Sequence, residues 1–390
     1  MFHECANLQS IKLPESVISI SKYAFARCSS LTSVNISDGV TSIGENAFYY
    51  CSSLTSINIP NGVTSIGNSI FQNCSALISV TIPDNVTSIG GGAFMKCTSL
   101  TSINIPDGVT SIGGGAFDGC FSLTSVNIPD GVTSIGGGAF SNCTSLTSIN
   151  IPDGITSISE RIFEECSALI SVNIPDNVIS IGANAFYNCT SLTSINIPDG
   201  VTSIGGRAFY DCTSLTSISI PDNVISIGEY AFCGCTSLTS INVPDNVTSI
   251  GKYALSYCNE LKSVTIGDGV MEVPDYFCYR CTNLSEVKIG KNVKSLGVNS
   301  FFIGKDTWIN KFYCYVSSPP ELEEIFDYHN DYGGKPHFYG TFYHFYDNTW
   351  HTSLIHEETK IKTLYVPERC GQTYRESDWG NYFDDLEEID

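Results

Sequence analysis

The chain has 390 residues, a formal net charge of −21 and 17 cysteines. That charge repels phosphate backbones and argues against a nucleic-acid partner. An apolar content of 42% argues against wholesale disorder, and no run of about 18 apolar residues is present to span a bilayer.

The cysteines count out a period. Cys5, Cys28, Cys51, Cys74, Cys97, Cys120, Cys143, Cys166, Cys189, Cys212, Cys235, Cys258 and Cys281 follow one another at a single fixed interval. A leucine stands three residues after each, from Leu8 to Leu284. A phenylalanine stands three before, from Phe2 to Phe232, and Leu255 then takes its place. A fixed period without insertions predicts a solenoid.

The unit Cys97 to Gly119 shows the predicted elements in order. Ile103 and Ile105 alternate with Ser102 and Asn104, which is strand period. Pro106-Asp107-Gly108 turns the chain. Val109 to Ile112 forms a second short extended run. A corner at Gly113–Gly115 leads to Ala116 and Phe117 in a predicted tight or 3₁₀ turn. Such a unit is too short for a strand and a long crossover helix. Its Leu, Ile, Val, Ala, Phe and Cys residues point inward, and stacked neighbours close the core. Thirteen units carry the cysteine, and a fourteenth, Val293 to Phe301, has Gly304 in its place. At a strand spacing of about 4.8 Å, this predicts a rod roughly 65 Å long.

The tail differs. Residues 303–390 hold all 3 tryptophans, 5 of the 6 histidines, and 17 acidic against 7 basic residues. Phe312 to Val316 and Thr363 to Val366 read as strands, and Pro319-Pro320 as a break. Tyr328 to Trp350 reads as an aromatic loop. Tyr374 to Leu386 reads as a short amphipathic helix with Trp379, Phe383 and Leu386 inward. The tail is expected to cap the last coil.

The 23-residue motif, Cys-x-x-Leu-x-x-Ile-x-Ile-Pro-x-x-Val-x-x-Ile-Gly-x-x-Ala-Phe-x-x, resembles the BspA-like, or treponemal-type, leucine-rich repeat family over about residues 1–302. The resemblance implies a right-handed leucine-rich repeat solenoid, mostly β with short parallel strands, and an α+β C-terminal cap over residues 303–390. It further implies an extracellular or cell-surface protein that binds proteins or glycans on host or neighbouring cells. Met1-Phe2 falls in mid-repeat, so the N-terminal end is expected to be truncated.

Candidate functional residues are weighed on this frame. Ladder cysteines a full repeat apart match no metal-ligand pattern and suit small buried hydrophobes. Cys314 and Cys370 in the tail are candidates to pair. The aspartate column, including Asp107, Asp130 and Asp153, reads as turn chemistry, with weak cation binding as the alternative. Ser102, Asn104, Ser125, Asn127, Ser148 and Asn150 belong to two outward rows that form a flat polar face, suited to weak multivalent binding. Tyr343, Tyr346 and Trp350 in the aromatic loop suit a glycan or protein ligand. His337, His344, His351 and His356 fit no zinc motif. Corner positions vary between coils at Glu45-Asn46, Ser159-Glu160-Arg161, Arg207 and Lys252-Tyr253. Lys288, Lys291 and Lys294 vary in the last coils. These are candidates for specificity. No nucleophile, kinase or phosphate-loop motif appears, so the expectation is a monomeric, cofactor-free interaction protein rather than an enzyme. A passive spacer is the remaining alternative.

Overall fold

Each coil is tied to its neighbours by backbone hydrogen bonds whose partners lie about one repeat away in the chain. Thr110 N–H donates to Thr87 O at 2.9 Å and Gly113 N–H to Ile89 O at 2.8 Å, toward the preceding coil. Gly115, Phe117 and Gly119 donate to Gly137, Ala139 and Ser141 at 2.8–3.0 Å, toward the following coil. The residues between them turn inward on their own coil: Ala116, Asp118 and Cys120 donate to Gly113, Gly115 and Phe117. Successive residues of the phenylalanine corner thus bond alternately between and within coils. This pattern is the tight turn expected there.

The structure, a computed structural model, describes residues 2–304, 307–322 and 359–389. It is a parallel β-solenoid of about 15 turns. Strands such as Ser102–Asn104 and Ser125–Asn127 pair in parallel, with Ser102 opposite Ser125 and Asn104 opposite Asn127. A second ladder of shorter strands, among them Ser111–Ile112 and Ser134–Ile135, runs along another side. In the strands of the first ladder's uniform coils, burial reads exposed, buried, exposed, so the period-2 alternation sends Ile103 inward and Ser102 and Asn104 outward.

The core is a set of ladders. The phenylalanine rings stack from Phe2 to Phe232 at centroid distances of 5.2–6.0 Å. The cysteine ladder has a polar function as well as an apolar one. Cys97 Sγ donates to Phe71 O, 26 residues earlier, at 3.1 Å, and that carbonyl already accepts from Cys74 N–H at 3.0 Å. The bond repeats from Cys28 to Cys281 at 2.9–3.3 Å. Cysteine therefore fills a small buried space and satisfies the second lone pair of a buried carbonyl.

The tail extends the same sheet. Strands Ser240–Val243, Ser263–Ile266, Glu286–Ile289, Thr307–Cys314, Thr359–Pro367 and Phe383–Ile389 form one six-stranded parallel sheet. The amphipathic helix expected over Tyr374 to Leu386 is corrected. The helix is Gly371–Glu376, a 3₁₀ turn covers Asp378–Asn381, and Phe383–Ile389 is a strand. The pattern Phe383-Asp-Asp-Leu386 carries too few apolar residues to distinguish the two periods. Cys314 and Cys370 are both free thiols. Cys314 Sγ instead lies 3.0 Å from Tyr374 Oη, which donates to Val316 O at 2.8 Å. Trp379 is buried, and its Nε1–H donates to Pro320 O at 3.0 Å.

Removing one ring from the phenylalanine ladder leaves a cavity that the flanking coils, held in register, cannot close. Phe117→Ala is expected to cost about 3–5 kcal/mol. Native-state hydrogen exchange checks it, with the loss concentrated in amides of the neighbouring coils and fading along the rod.

Candidate functional site

Two surfaces of the coil carry side chains that the fold does not consume. The first is the outward face of the main sheet. Ser102, Asn104, Ser125, Asn127, Ser148 and Asn150 are all exposed there. Asn173 Nδ2 donates to Asn150 Oδ1 at 3.2 Å, so asparagines of adjacent coils touch. The neighbouring threonines behave differently. Thr124 Oγ1 donates to Thr101 O and Thr147 Oγ1 to Thr124 O, each stapling one coil to the one before.

These two rows change character along the sheet. The serine row passes from Ser240 and Ser263 to Glu286, Lys311, Thr363 and Asp385. The asparagine row passes from Asn242 and Thr265 to Lys288, Tyr313, Tyr365 and Glu387. Tyr313 and Tyr365 stack at 4.4 Å. Lys288 lies 5.3 Å from the Tyr313 ring centroid, with its Nζ 2.9 Å from Glu286 Oε1. A groove of about 340 Å³, lined by Asp245, Thr265, Asp268, Lys288 and Tyr315, lies beside them. Sequence reasoning placed the aromatic anchors at Tyr343, Tyr346 and Trp350, which lie outside the described residues, as do His337, His344, His351 and His356. It passed over Tyr313 and Tyr365, whose signal is their register with the asparagine row.

The second surface is the phenylalanine corner. Two residues per coil there have left-handed backbone, as at Gly115 (φ 61°) and Gly119 (φ 71°). Later coils put Arg161, Glu165, Arg207, Asp211, Tyr230, Tyr253, Tyr257, Tyr276 and Arg280 at the same positions, with φ of 53–62°. Asp211 and Glu164 are half-buried. Desolvation, followed by the nearby Glu165 charge, raises the Asp211 carboxyl from 3.8 to about 6. Glu164 is raised in the same direction, chiefly by burial.

Asp107, Asp130 and Asp153 lie exposed at the proline turn, which Val109 N–H closes onto Pro106 O at 3.0 Å. Where the column's carboxylates bond backbone N–H, the amide belongs to the next coil: Asp245 Oδ1 accepts from Asp268 N–H and Asp268 Oδ1 from Lys291 N–H. Asparagine at the next turn position closes another link, as Asn177 Nδ2 donates to Asp153 O at 3.0 Å. Among the described residues no group of three His, Cys, Asp or Glu is placed to hold a metal ion, and no helix there is long and apolar enough to cross a membrane.

The family model for the BspA type leucine rich repeat region matches residues 1–122, 87–216 and 202–313 in 6 copies. The chain belongs to the BspA-type leucine-rich repeat family. Among solved structures, it is 27% identical to a leucine-rich repeat protein from Bacteroides ovatus, with a TM-score of 0.68 over 98% of this chain and 93% of that one. It is 33% identical to a leucine rich cell surface protein from Faecalibacterium prausnitzii, with a TM-score of 0.53 over 72% of this chain and 88% of that one. The pneumococcal vaccine antigen PcpA, 21% identical with a TM-score of 0.50 over 79% of this chain and 74% of that one, shares the fold. No curated protein sequence matches the chain significantly.

The BspA-type coil also accounts for a cysteine pair that counting by period hides. Cys278 and Cys281 stand three residues apart because Cys278 occupies the phenylalanine position of its coil, and its N–H donates to Ser300 O as a ladder phenylalanine would. Both are buried, as is Cys258. Burial pushes the ladder thiols from Cys28 to Cys258 up, Cys51 and Cys166 to about 12, so they stay protonated and unreactive, whereas at Cys281 the neighbouring Cys258 and Cys278 thiols act against burial and hold the group down.

Two outcomes follow. At about pH 8, a thiol reagent is expected to modify Cys5 and Cys370 in the folded chain and the other 15 cysteines only after denaturation; fast labelling of a ladder cysteine contradicts this. The folded chain also holds the Asp211 proton to higher pH than the unfolded chain, so Asp211 ionisation subtracts stability as pH rises from 3.8 to about 6. Asp211→Asn is expected to raise the thermal midpoint at pH 7 by more than at pH 3.5, as differential scanning calorimetry reads it.

Proposed function

We propose that this chain acts at the cell surface or outside the cell as an adhesin-like module, and that it binds proteins through the outward face of its main sheet. Repeats of the BspA type are generally protein-interaction modules and typically non-enzymatic. The observation that carries the reading is the register of the two outward rows. Ser102, Asn104, Ser125, Asn127, Ser148 and Asn150 offer many equivalent weak contacts, spaced by the coil pitch. Before it ends at Glu387, the asparagine row carries Lys288, Tyr313 and Tyr365, of which the tyrosines are an anchor type that hot spots favour. A repetitive partner gains avidity along the uniform part and specificity at the anchored end. The Faecalibacterium relative, described as a cell surface protein, supports the location.

Surface plasmon resonance against immobilised fibronectin or fibrinogen tests the reading. Binding at micromolar concentration is expected. Tyr313→Ala with Tyr365→Ala is expected to weaken it about tenfold or more, and Asn104→Ala, Asn127→Ala and Asn150→Ala together by less. Absence of binding to either protein, or binding indifferent to both sets of changes, overturns the assignment. Retention only on a glycan array transfers the function to a sugar ligand.

A further inference from the structure

The chain holds one Cys-x-x-Cys, at Cys278-Tyr279-Arg280-Cys281. That spacing belongs to dithiols that form and exchange disulfides, and to metal sites. Among the described residues no group of three ligands is placed to hold a metal ion. Cys278 stands where the repeat otherwise supplies a ring: the residue three before the ladder cysteine is phenylalanine from Phe2 to Phe232, and then Leu255. This coil moves its ring one position back, to Phe277, where other coils mostly carry alanine. Phe277 is buried and meets Phe301 edge-on at 6.1 Å. Core filling thus accounts for a small residue at 278 but not for a thiol, since alanine would serve as well.

The turn brings the two thiols together. Cys281 N–H donates to Cys278 O at 3.2 Å and closes a four-residue turn. Such a turn holds its end Cα atoms within about 7 Å, and a disulfide spans roughly 4.4–6.8 Å. Both cysteines are buried and reduced in this structure. The ladder thiols donate to backbone carbonyls, Cys281 Sγ to Leu255 O at 3.0 Å. The Cys278 thiol instead faces Cys281. Cys281 also faces Cys258, but ladder neighbours occupy the same position of successive coils, so their side chains run side by side rather than toward each other. Burial raises both Cys278 and Cys281, yet at Cys281 the Cys258 and Cys278 thiols donate to the sulfur and bring it below its usual range. Cys281 is therefore the nucleophile of the pair.

We propose that Cys278 and Cys281 form a disulfide when the chain folds in an oxidising compartment, closing a covalent loop in the last coil of the cysteine ladder. The oxidant is a dithiol–disulfide oxidoreductase of that compartment. The Cys281 thiolate attacks one sulfur of the oxidoreductase disulfide, and the other sulfur leaves and takes up a proton. Cys278 then loses its proton and attacks Cys281 Sγ. The mixed disulfide breaks, and the second oxidoreductase sulfur leaves and takes up a proton. Two electrons and two protons pass from the chain to the oxidoreductase. The next coil closes over this corner, where Cys278 N–H and Arg280 N–H donate to Ser300 O and Phe302 O, both at 2.6 Å. The bond accordingly forms before that coil docks and is sealed afterwards. Strand Glu286–Ile289, which carries Lys288, follows directly after Leu284 of the same coil, so the loop stiffens the approach to the anchored end of the sheet. The oxidising compartment follows from the surface location proposed above. The test supplies it directly, so failure of the bond is distinguishable from failure of that location.

Export of the chain to the periplasm of a bacterial host, with the cytosolic chain as the reduced comparison, tests the proposal. Both preparations are alkylated in denaturant, cut with trypsin and mapped by mass spectrometry. The exported chain is expected to show two fewer reactive thiols than the 17 of the cytosolic chain. In most molecules the bond is expected to join the two fragments that cleavage after Arg280 otherwise separates. While the exported chain stays folded, its bond is expected to be reduced at least about tenfold more slowly than in denaturant, because the coil seals it. Cys278→Ala is expected to fold, since Phe277 already fills the core there, and to keep every remaining thiol reactive. Cys258→Ala is expected to lose the same two thiols as the unaltered chain. All 17 thiols reactive after export, bonds spread over ladder neighbours such as Cys258 and Cys281, or an unchanged loss of two thiols in Cys278→Ala overturns the proposal. So does zinc that copurifies with the chain and is lost in Cys278→Ala, which reassigns the pair to metal binding.

Discussion

Everything in this molecule depends on the in-register stacking of coils of equal length. Because each residue lies beside its counterpart one repeat away, one choice of side chain becomes a column. Apolar columns benefit: the phenylalanine rings stack, and each ladder thiol reaches the carbonyl of the coil before. Charged columns suffer, since like charges at strand spacing repel. The repeat body accordingly relies on Ser, Thr and Asn, whose hydroxyls and amides bond from coil to coil without net charge. Outside the exposed aspartate column of the proline turn, several charges that enter neighbouring coils do so as pairs of opposite sign. Lys22 pairs with Glu45, Arg27 with Glu4, Lys252 with Asp275 and Lys291 with Asp268, each partner one repeat away.

The same constraint decides what was legible in the sequence. Thirteen cysteines at one spacing disclose the pitch, the inward residues and the outward rows, because a periodic structure repeats its own evidence. The tail is written once. Phe383 to Ile389 has acidic residues at Asp384, Asp385, Glu387 and Glu388, a composition that local preference does not assign to a strand. Tertiary pairing with Thr359–Pro367 makes it one. Those carboxylates also discourage a further strand from joining that edge. Cys314 was open to pairing by count, and the buried hydroxyl of Tyr374 that meets it is 60 residues away, a contact no spacing announces.

Candidate binding residues divide along the same line. The polar rows at Ser102 and Asn104 are visible because they repeat, and repetition makes them weak as anchors. Tyr313 and Tyr365 occupy that row after the regular pitch has ended. The steps from Lys288 to its partner Tyr313, and from Tyr313 to its partner Tyr365, are both longer than one repeat. Their place on the face emerges only from the sheet register. Arg207 and Tyr253 stand out in the sequence as interruptions of a glycine corner. That they stand in line with Tyr230 and Tyr276 depends on the left-handed turn, which brings the same corner position of successive coils together.

A solenoid of identical coils is efficient to stabilise and poor at recognition, because every local contact it offers is offered many times over. Recognition requires departures from the repeat, and departures carry a cost wherever the repeat is optimal. In this chain the departures concentrate where that cost is lowest for the core. Large and charged side chains enter at the corner and on the outward rows, while the inward cysteine, leucine and isoleucine columns continue nearly unchanged through the same coils. The left-handed backbone at Tyr230, Tyr253 and Tyr276 is partly offset by the stacking of their rings, which holds that corner rigid. Rigid aromatic and arginine groups lose little conformational entropy on binding. The ladder that makes the coils uniform thereby also supplies the preorganisation that its few irregular side chains need.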